Sequence, residues 1–586
     1  MREVLAIVAA MVTSVGALAQ PEWAEPRADD TGGMSGVVGL MAADLRSVES
    51  FFDLAWEEER FTRIEALLEA RGASLGGIDF GALPPQGRID WLLLRGWIGA
   101  QREEVKLSRA RLEEMGPLLP FREVIVGLTR AEREMREGDP RSSAAAISEI
   151  EGMIKGVRAR VDAARAGQAP EGVEPLVVSA VVARRTAGAV QGLRSALREW
   201  YDYYAAYQPD FAWWVSQPHE EASKALDEYA RYLRETIAGE QGKPEDPLIG
   251  DPIGRDKLLA DLAYECIPYT PEELVTIAER EFAWCESQML LASREMGHGE
   301  DWRGALEEVK QASLPPGEQT HYVTGVALEA IQFLKDRELV TIPPLCEELW
   351  RLRMISAENQ RIWPFAYYGG QHIGVAAPAD RMEHDDKLQS MRGNNRHFTR
   401  IVVPHELIPG HHLQGYMARR ERPYRGVFAT PFFGEGWALY WEMTLWDKGF
   451  AQSPEDRVGM LFWRMHRCAR IIVSLKFHLG EMTPQEMIDF LVDRVGHERF
   501  GATSEVRRYI GGEYSPLYQC AYMLGGMQLR ALRRELVDTG VMTEMRFHDA
   551  LLSYNSMPIE LVRAGMLGME LSSDWSSSWR FAEPNE

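Results

Sequence analysis

Cysteine is scarce and poorly placed for a scaffold. The 586-residue chain carries five, at positions 266, 285, 346, 468 and 520. An odd and scattered set excludes a disulfide-stapled fold and a cysteine-based zinc site. Even in an oxidising compartment, five cysteines allow at most two bridges, and nothing indicates which. Long apolar runs are missing as well. Beyond residue 19, no stretch reaches the roughly 18 apolar residues that a spanning helix needs. Strand signals are few, Leu339 to Pro343 and Trp363 to Val375 being the best. There is no internal repeat and no low-complexity tract. Positive charge is in deficit: 65 Lys and Arg stand against 88 Asp and Glu, a net charge of −23. That argues against nucleic acid or an anionic membrane surface as a partner and is compatible with cationic substrates.

What is present describes a globular, helical chain. Hydrophobic residues make up 45% and charged residues 26%, enough to build a core. The length corresponds to roughly two to four domain-sized units. Residues 1–19 read as a signal peptide, with Arg2 ahead of the apolar run Val4 to Ala19 and a small-x-small site at Ala17-Leu18-Ala19. Cleavage is expected before Gln20, into the periplasm or the medium. No cysteine follows the site, which argues against a lipid anchor. Residues 20–40 are expected to form a disordered lead.

Residues 41–238 read as an N-terminal helical half. Leu45 to Trp56, Arg88 to Gly116, Arg122 to Arg136 and Ser143 to Ala166 carry apolar residues at helical intervals. Aromatic residues cluster between Trp200 and Trp214; they read as core packing or as the mouth of a substrate cleft. Residues 239–255 hold three prolines and four glycines and form a connector. Residues 256–586 form the C-terminal half. Its helix starts are marked at Thr270-Pro-Glu-Glu273, Ser453-Pro-Glu-Asp456 and Thr483-Pro-Gln-Glu486.

The densest chemistry lies between His405 and Glu442, which enclose three of the chain's 13 histidines and four glutamates. His405-Glu406-Leu-Ile-Pro-Gly-His411-His412 is followed by Gly434-Glu435-Gly436-Trp437 and by Glu442. Zinc takes imidazole nitrogens and carboxylate oxygens, and a glutamate beside the first histidine can act as general base toward water. The spacing departs from H-E-x-x-H, where both histidines share one helix face. On an ideal helix His411 would sit about 240° round from His405. A bulge at Pro409-Gly410 would bring it back. His412 would return to the face without a bulge, but about 10 Å further along the axis. His411 is therefore the preferred second ligand, and Glu435 the third. Glu442, seven residues on, shares a helix face with Glu435 and can hold a ligand histidine from behind.

The run His-Glu-x-x-Pro-Gly-His-His-Leu-Gln followed by Glu-Gly-Trp-Ala-x-Tyr-x-Glu resembles the signature of the bacterial domain of unknown function 885 family. That family is grouped with zinc peptidases whose third ligand is glutamate. The resemblance runs from about residue 45 to about 575. It implies a mainly α, zincin-like architecture of two helical halves around a deep cleft. It also brings in His478, in a segment where the family usually has an aspartate at the position of Ser474, and Tyr522, in a run that lies near the metal in the family. A phenol there would stabilise a developing oxyanion. Arg507 and Arg508 are candidates for binding a peptide carboxylate, but read more simply as a surface pair.

The expectation is an exported zinc metallopeptidase acting on short peptides. His405, His411 and Glu435 hold Zn2+, Glu406 is the base, and Tyr522 with His478 assists the oxyanion. In related helical peptidases two such halves wall a channel, and acidic walls would suit the net charge. Two other readings remain: a zinc hydrolase of non-peptide amides or esters, and a helical binding protein that keeps the metal site without turnover.

Overall fold

The computed structural model describes residues 29–582, apart from residues 137, 169, 244, 245, 362 and 513. The expected signal peptide at 1–19 and residues 20–28 of the expected lead lie outside the described residues. The class is mainly α, as expected. The helix Met34–Phe51 starts inside the stretch expected to be disordered up to residue 40. Its Met34, Val38 and Met41 are buried, a four-then-three spacing that puts them on one helix face. The other expected helices of this half appear as Pro85–Met115, Arg122–Arg133 and Pro140–Ala166.

The marked helix starts are real caps. Thr270 and Thr483 each form a complete capping box, with proline in the first turn, and Ser453 accepts from the Asp456 amide. Each such cap is worth about 1 kcal/mol. Among the described residues, no helix is long and apolar enough to cross a membrane.

Among the described residues, strand structure is confined to one small sheet of β1 (Arg351–Met354), β2 (Ala366–Tyr368) and β3 (His372–Val375). The order is β1-β3-β2, with β1 parallel and β2 antiparallel to β3. The expected strand region at 363–375 is thus a hairpin turned by Gly369 and Gly370, the latter at φ 83°. Leu339 to Pro343 is not a strand. It leads into the helix Pro344–Leu349, and two successive prolines cannot donate to a ladder. Four-residue β1 is too short to stand out as a pattern.

The described residues of 239–253 are irregular, and the helices on either side of them do not form two separate cores. One apolar cluster joins the N-terminal helices to residues 529–571 and to Phe433, Trp437, Tyr440 and Trp441 of the helix Pro431–Asp447. A second is built on the helices Pro271–Glu295 and Pro454–His478 and takes Phe432, Leu439 and Met443 from that same helix. The helix carrying Glu435 is apolar nearly all round, and such a helix must be covered on every side. It is the wall shared by both cores.

The start of this helix carries a buried carboxyl. Thr430 caps the Phe432 amide and donates its hydroxyl to Glu265 Oε1 at 2.6 Å. Burial raises the Glu265 pKa from 4.5 to about 8, outweighing the Thr430 hydrogen bond. A carboxyl whose pKa is higher folded than unfolded contributes stability that is fully present below the unfolded pKa. That stability is lost as pH rises toward the folded value. Glu265→Gln, which stays neutral, should therefore gain on the wild type between pH 5 and pH 8, by on the order of a few kcal/mol. Urea denaturation of both proteins at the two pH values measures it. An equal stability difference at both pH values would mean that Glu265 titrates normally.

Candidate metal centre

His405 stands in the last turn of the helix Arg396–Glu406, and His411 opens the next helix, His411–Ala418. The extra residues are not absorbed by a bulge within one helix. The helix breaks, with Leu407 at φ −105°, ψ −109° and Gly410 at φ −75°, ψ −131°. The Ile408–Pro409 bond is cis. Gly410 is required because a Cβ there would lie 1.7 Å from the His405 carbonyl oxygen. The Pro409 carbonyl accepts from the Trp437 indole N–H at 2.8 Å. The turn that presents His411 is thereby fastened to the helix that carries Glu435.

Glycine also sets the approach of the next element. Gly436 packs against Gly525 of the helix Tyr518–Arg533; a Cβ on Gly436 would lie 2.6 Å from the Gly525 Cα. Backbones this close bring Tyr518 and Tyr522 up to Glu435. The Tyr518 hydroxyl donates to Glu435 Oε1.

The three side chains converge. His411 Nε2 is 3.1 Å and His405 Nε2 is 3.7 Å from Glu435 Oε2. The two imidazole rings lie 4.9 Å apart at 87°. Glu435 Oε2 is buried and has no hydrogen-bond partner among the described residues. Together these residues form a group able to hold a metal ion, with ligand atoms within 4.8 Å of one another. Behind His405, Glu442 Oε1 holds Nδ1 at 2.6 Å, which aims Nε2 at Glu435. Burial pulls the His405 pKa down, but Glu435 and Glu442 outweigh it and hold it up at about 9. Burial would raise Glu435, yet His411 and His405 keep its carboxyl well below the usual range.

His412 points elsewhere. Its Nε2 donates to the Cys346 carbonyl at 2.9 Å, and its Nδ1 lies 3.2 Å from the Tyr368 hydroxyl. His411→Ala should therefore abolish metal binding. His412→Ala should keep the metal and cost about 1–3 kcal/mol of stability for the lost buried hydrogen bond. Metal analysis of the two purified variants, with melting curves, checks both; metal loss in the His412 variant alone would reverse the assignment.

A cavity of about 440 Å³ opens on this cluster and is lined by His405, Glu406, His411, Glu435, Tyr518 and Tyr522. The edge strand β2 borders it through Tyr367 and Tyr368. The Tyr522 ring lies 6.2 Å from the His405 ring at 11°. His478 is not brought here. It does not line the cavity, and it is eight residues beyond Arg470, which does, about 12 Å further along their helix. Both of its ring nitrogens are buried without partners among the described residues. The aromatic residues at 200–214 do not line the cavity either. Trp200 and Phe211 pack in the core while Trp213 is exposed.

The surface-pair reading of Arg507 and Arg508 holds only for exposed Arg507. Arg508 turns into the cavity and pairs with Glu505 at 2.7 Å. Arg467 and Arg470, one turn apart on the helix Pro454–His478, join it there. This wall is basic, in contrast to the acidic walls expected from net charge. The sequence reading missed Tyr518, Arg467 and Arg470. Their one sequence signal was spacing: Tyr518 and Tyr522 four apart, Arg467 and Arg470 three apart, each pair on one helix face.

Residues 51–566 match the family described as bacterial protein of unknown function, DUF885. No curated protein matches the chain. Among solved structures, it is similar to a candidate lipoprotein of unknown function from Shewanella oneidensis. The identity is 17% and the TM-score 0.68, over 91% of this chain and 99% of that one. It is also similar to a candidate lipoprotein from Colwellia psychrerythraea, with 13% identity and a TM-score of 0.57, over 92% and 99%.

Proposed function

We propose that this chain, which belongs to the bacterial family of unknown function DUF885, is an exported zinc-dependent metallopeptidase of short peptides. One observation carries the reading. Two imidazole nitrogens converge on a buried carboxylate oxygen that has no hydrogen-bond partner among the described residues, in the wall of a cavity that Glu406 also lines. Ligand atoms about 2.1 Å from a tetrahedral zinc lie about 3.4 Å from one another. The two histidine-to-Glu435 separations, 3.1 and 3.7 Å, bracket that value, and all three ligand atoms lie within 4.8 Å of one another. Two histidines and a glutamate are also the donor set of a catalytic zinc site with one open position.

Zinc held by His405, His411 and Glu435 would supply a Lewis acid for water and for a peptide carbonyl. Glu406, beside His405 on the cavity wall, takes the proton of the attacking water and passes it to the leaving amine. The Tyr522 hydroxyl donates to the carbonyl oxygen as it gains negative charge. Glu442 and Tyr518 orient His405 and Glu435, so that neither ligand has to be arranged during turnover. The residues that line the cavity run from Trp363 to Tyr522, all in the C-terminal half, so the expected wall from the N-terminal half is not part of it. In a zincin-like arrangement such a cavity would admit flexible peptides and exclude folded proteins. An exported setting agrees with the apolar leader in the sequence.

The test is zinc content and a mass-spectrometric time course on a peptide mixture, run beside a compact folded protein. Expected are one zinc per chain and cleavage of peptides shorter than about 20 residues, which a cavity of this kind can take up. Bound zinc with no cleavage of any peptide would favour the binding-protein reading. Cleavage of esters alone would favour the non-peptide hydrolase.

A further inference from the structure

The cavity wall built by the helices Pro454–His478 and Arg499–Ile510 carries more cationic donors than acceptors. Glu505 accepts from Arg470 Nη2 at 2.8 Å, from Arg508 Nη2 at 2.7 and 2.8 Å, and from the Tyr509 hydroxyl at 2.5 Å. Its capacity is largely used. Arg470 is only 3% exposed, yet its Nη1 has no hydrogen-bond partner among the described residues. Arg467 is 7% exposed, and its Nε has none. The nearest acid to Arg467 is Glu442, 3.7 Å from Nη2, and that carboxylate already holds His405. Buried guanidinium donors without acceptors cost free energy, and a native fold that retains them calls for an explanation such as a missing ligand.

The position of these donors indicates which ligand. Both guanidinium groups lie over the Tyr522 ring, Arg467 at 4.7 Å and Arg470 at 4.6 Å, and the same ring lies against His405. Free donors therefore stand within one aromatic ring of the metal centre. Planar guanidinium forks match a carboxylate in two-point contact. Each extended residue spans about 3.3–3.6 Å, so a carboxylate one or two residues beyond the scissile carbonyl can reach this wall.

We propose that Arg467, Arg470 and Arg508 form the subsite for the C-terminal carboxylate of the substrate, and that the protein removes one or two residues from peptide C-termini. This rests on the peptidase reading above. The C–N bond breaks, water supplies hydroxyl to the acyl carbon, and the amine leaves with the proton as a free amino acid or dipeptide.

Three N-acetylated probes test it: Ala-Ala-Phe-Ala as free acid, the same peptide as C-terminal amide, and Ala-Ala-Phe-Glu as amide. The zinc-loaded protein should cleave the free acid about a hundredfold better than its amide in kcat/KM, as expected for losing a buried charged hydrogen bond. Calorimetry on metal-free protein should show the same order of binding. Arg467→Gln and Arg508→Gln should each shrink the ratio below about tenfold, mainly through KM, since ground-state binding is what they remove. Arg508 is the less buried of the two sites, so at least one variant should fold. Equal cleavage and equal binding of acid and amide would overturn the subsite. So would a ratio left unchanged in both folded variants. Full cleavage of the Glu-containing amide would reassign the wall to acidic side chains and overturn the C-terminal assignment. If no probe is cleaved, the peptidase reading fails, and calorimetry on metal-free protein still decides the subsite.

Discussion

Glu406→Gln is expected to leave the bound metal and the fold in place while lowering kcat by about a thousandfold. Glu406 lines the cavity but is not one of the three converging ligand groups. Glutamine keeps the side-chain shape and removes only the ability to accept a proton from water. Binding of a peptide should therefore persist, and the loss should fall on kcat rather than KM. The measurement is zinc content, circular dichroism and steady-state kinetics on one preparation. Undiminished turnover with full zinc would show that another group is the base, and the mechanism would have to be abandoned.

The second large effect concerns the ligands. His405→Ala and Glu435→Ala should each take the protein from one bound zinc to essentially none at micromolar metal, because a site of three protein ligands cannot easily spare one. Activity should vanish with the metal. Glu435→Ala also removes the acceptor of the Tyr518 hydroxyl, so its melting curve should shift as well. Glu442→Gln gives a graded control. It keeps a group that can hold His405 but weakens the charge behind it, and losses of this kind typically amount to about 10–100-fold in metal affinity. Zinc retained in full after either alanine change would mean that the ion binds elsewhere.

Much of this was legible in local sequence. Helix class followed from apolar periodicity, and helix starts from Thr270, Ser453 and Thr483, because a cap depends only on residues within one turn of itself. His405, Glu406, His411 and Glu435 stood out because rare ligating residues were concentrated in one short stretch. Pro409 and Gly410 signalled that a continuous helix could not serve.

Tertiary structure alone decided the rest. The choice between His411 and His412 depended on how the chain left the first helix. Trp437 anchors that turn from a segment more than 25 residues away. Tyr518 reaches Glu435 only because Gly436 and Gly525 let two helices touch backbone to backbone. Arg467 and Arg470 read as ordinary helix residues until their helix was packed beside the candidate ligands, where Glu505 pairs with both Arg470 and Arg508 and Glu442, already holding His405, lies 3.7 Å from Arg467. His478 fell away for the converse reason: a motif position on the right helix lay too far along its axis. Helix periodicity and caps are set by neighbours in sequence, so the sequence by itself determined the helical class and the candidate ligands. The composition of a site is set by contacts between distant segments, so only the packed fold determined which groups face the cavity.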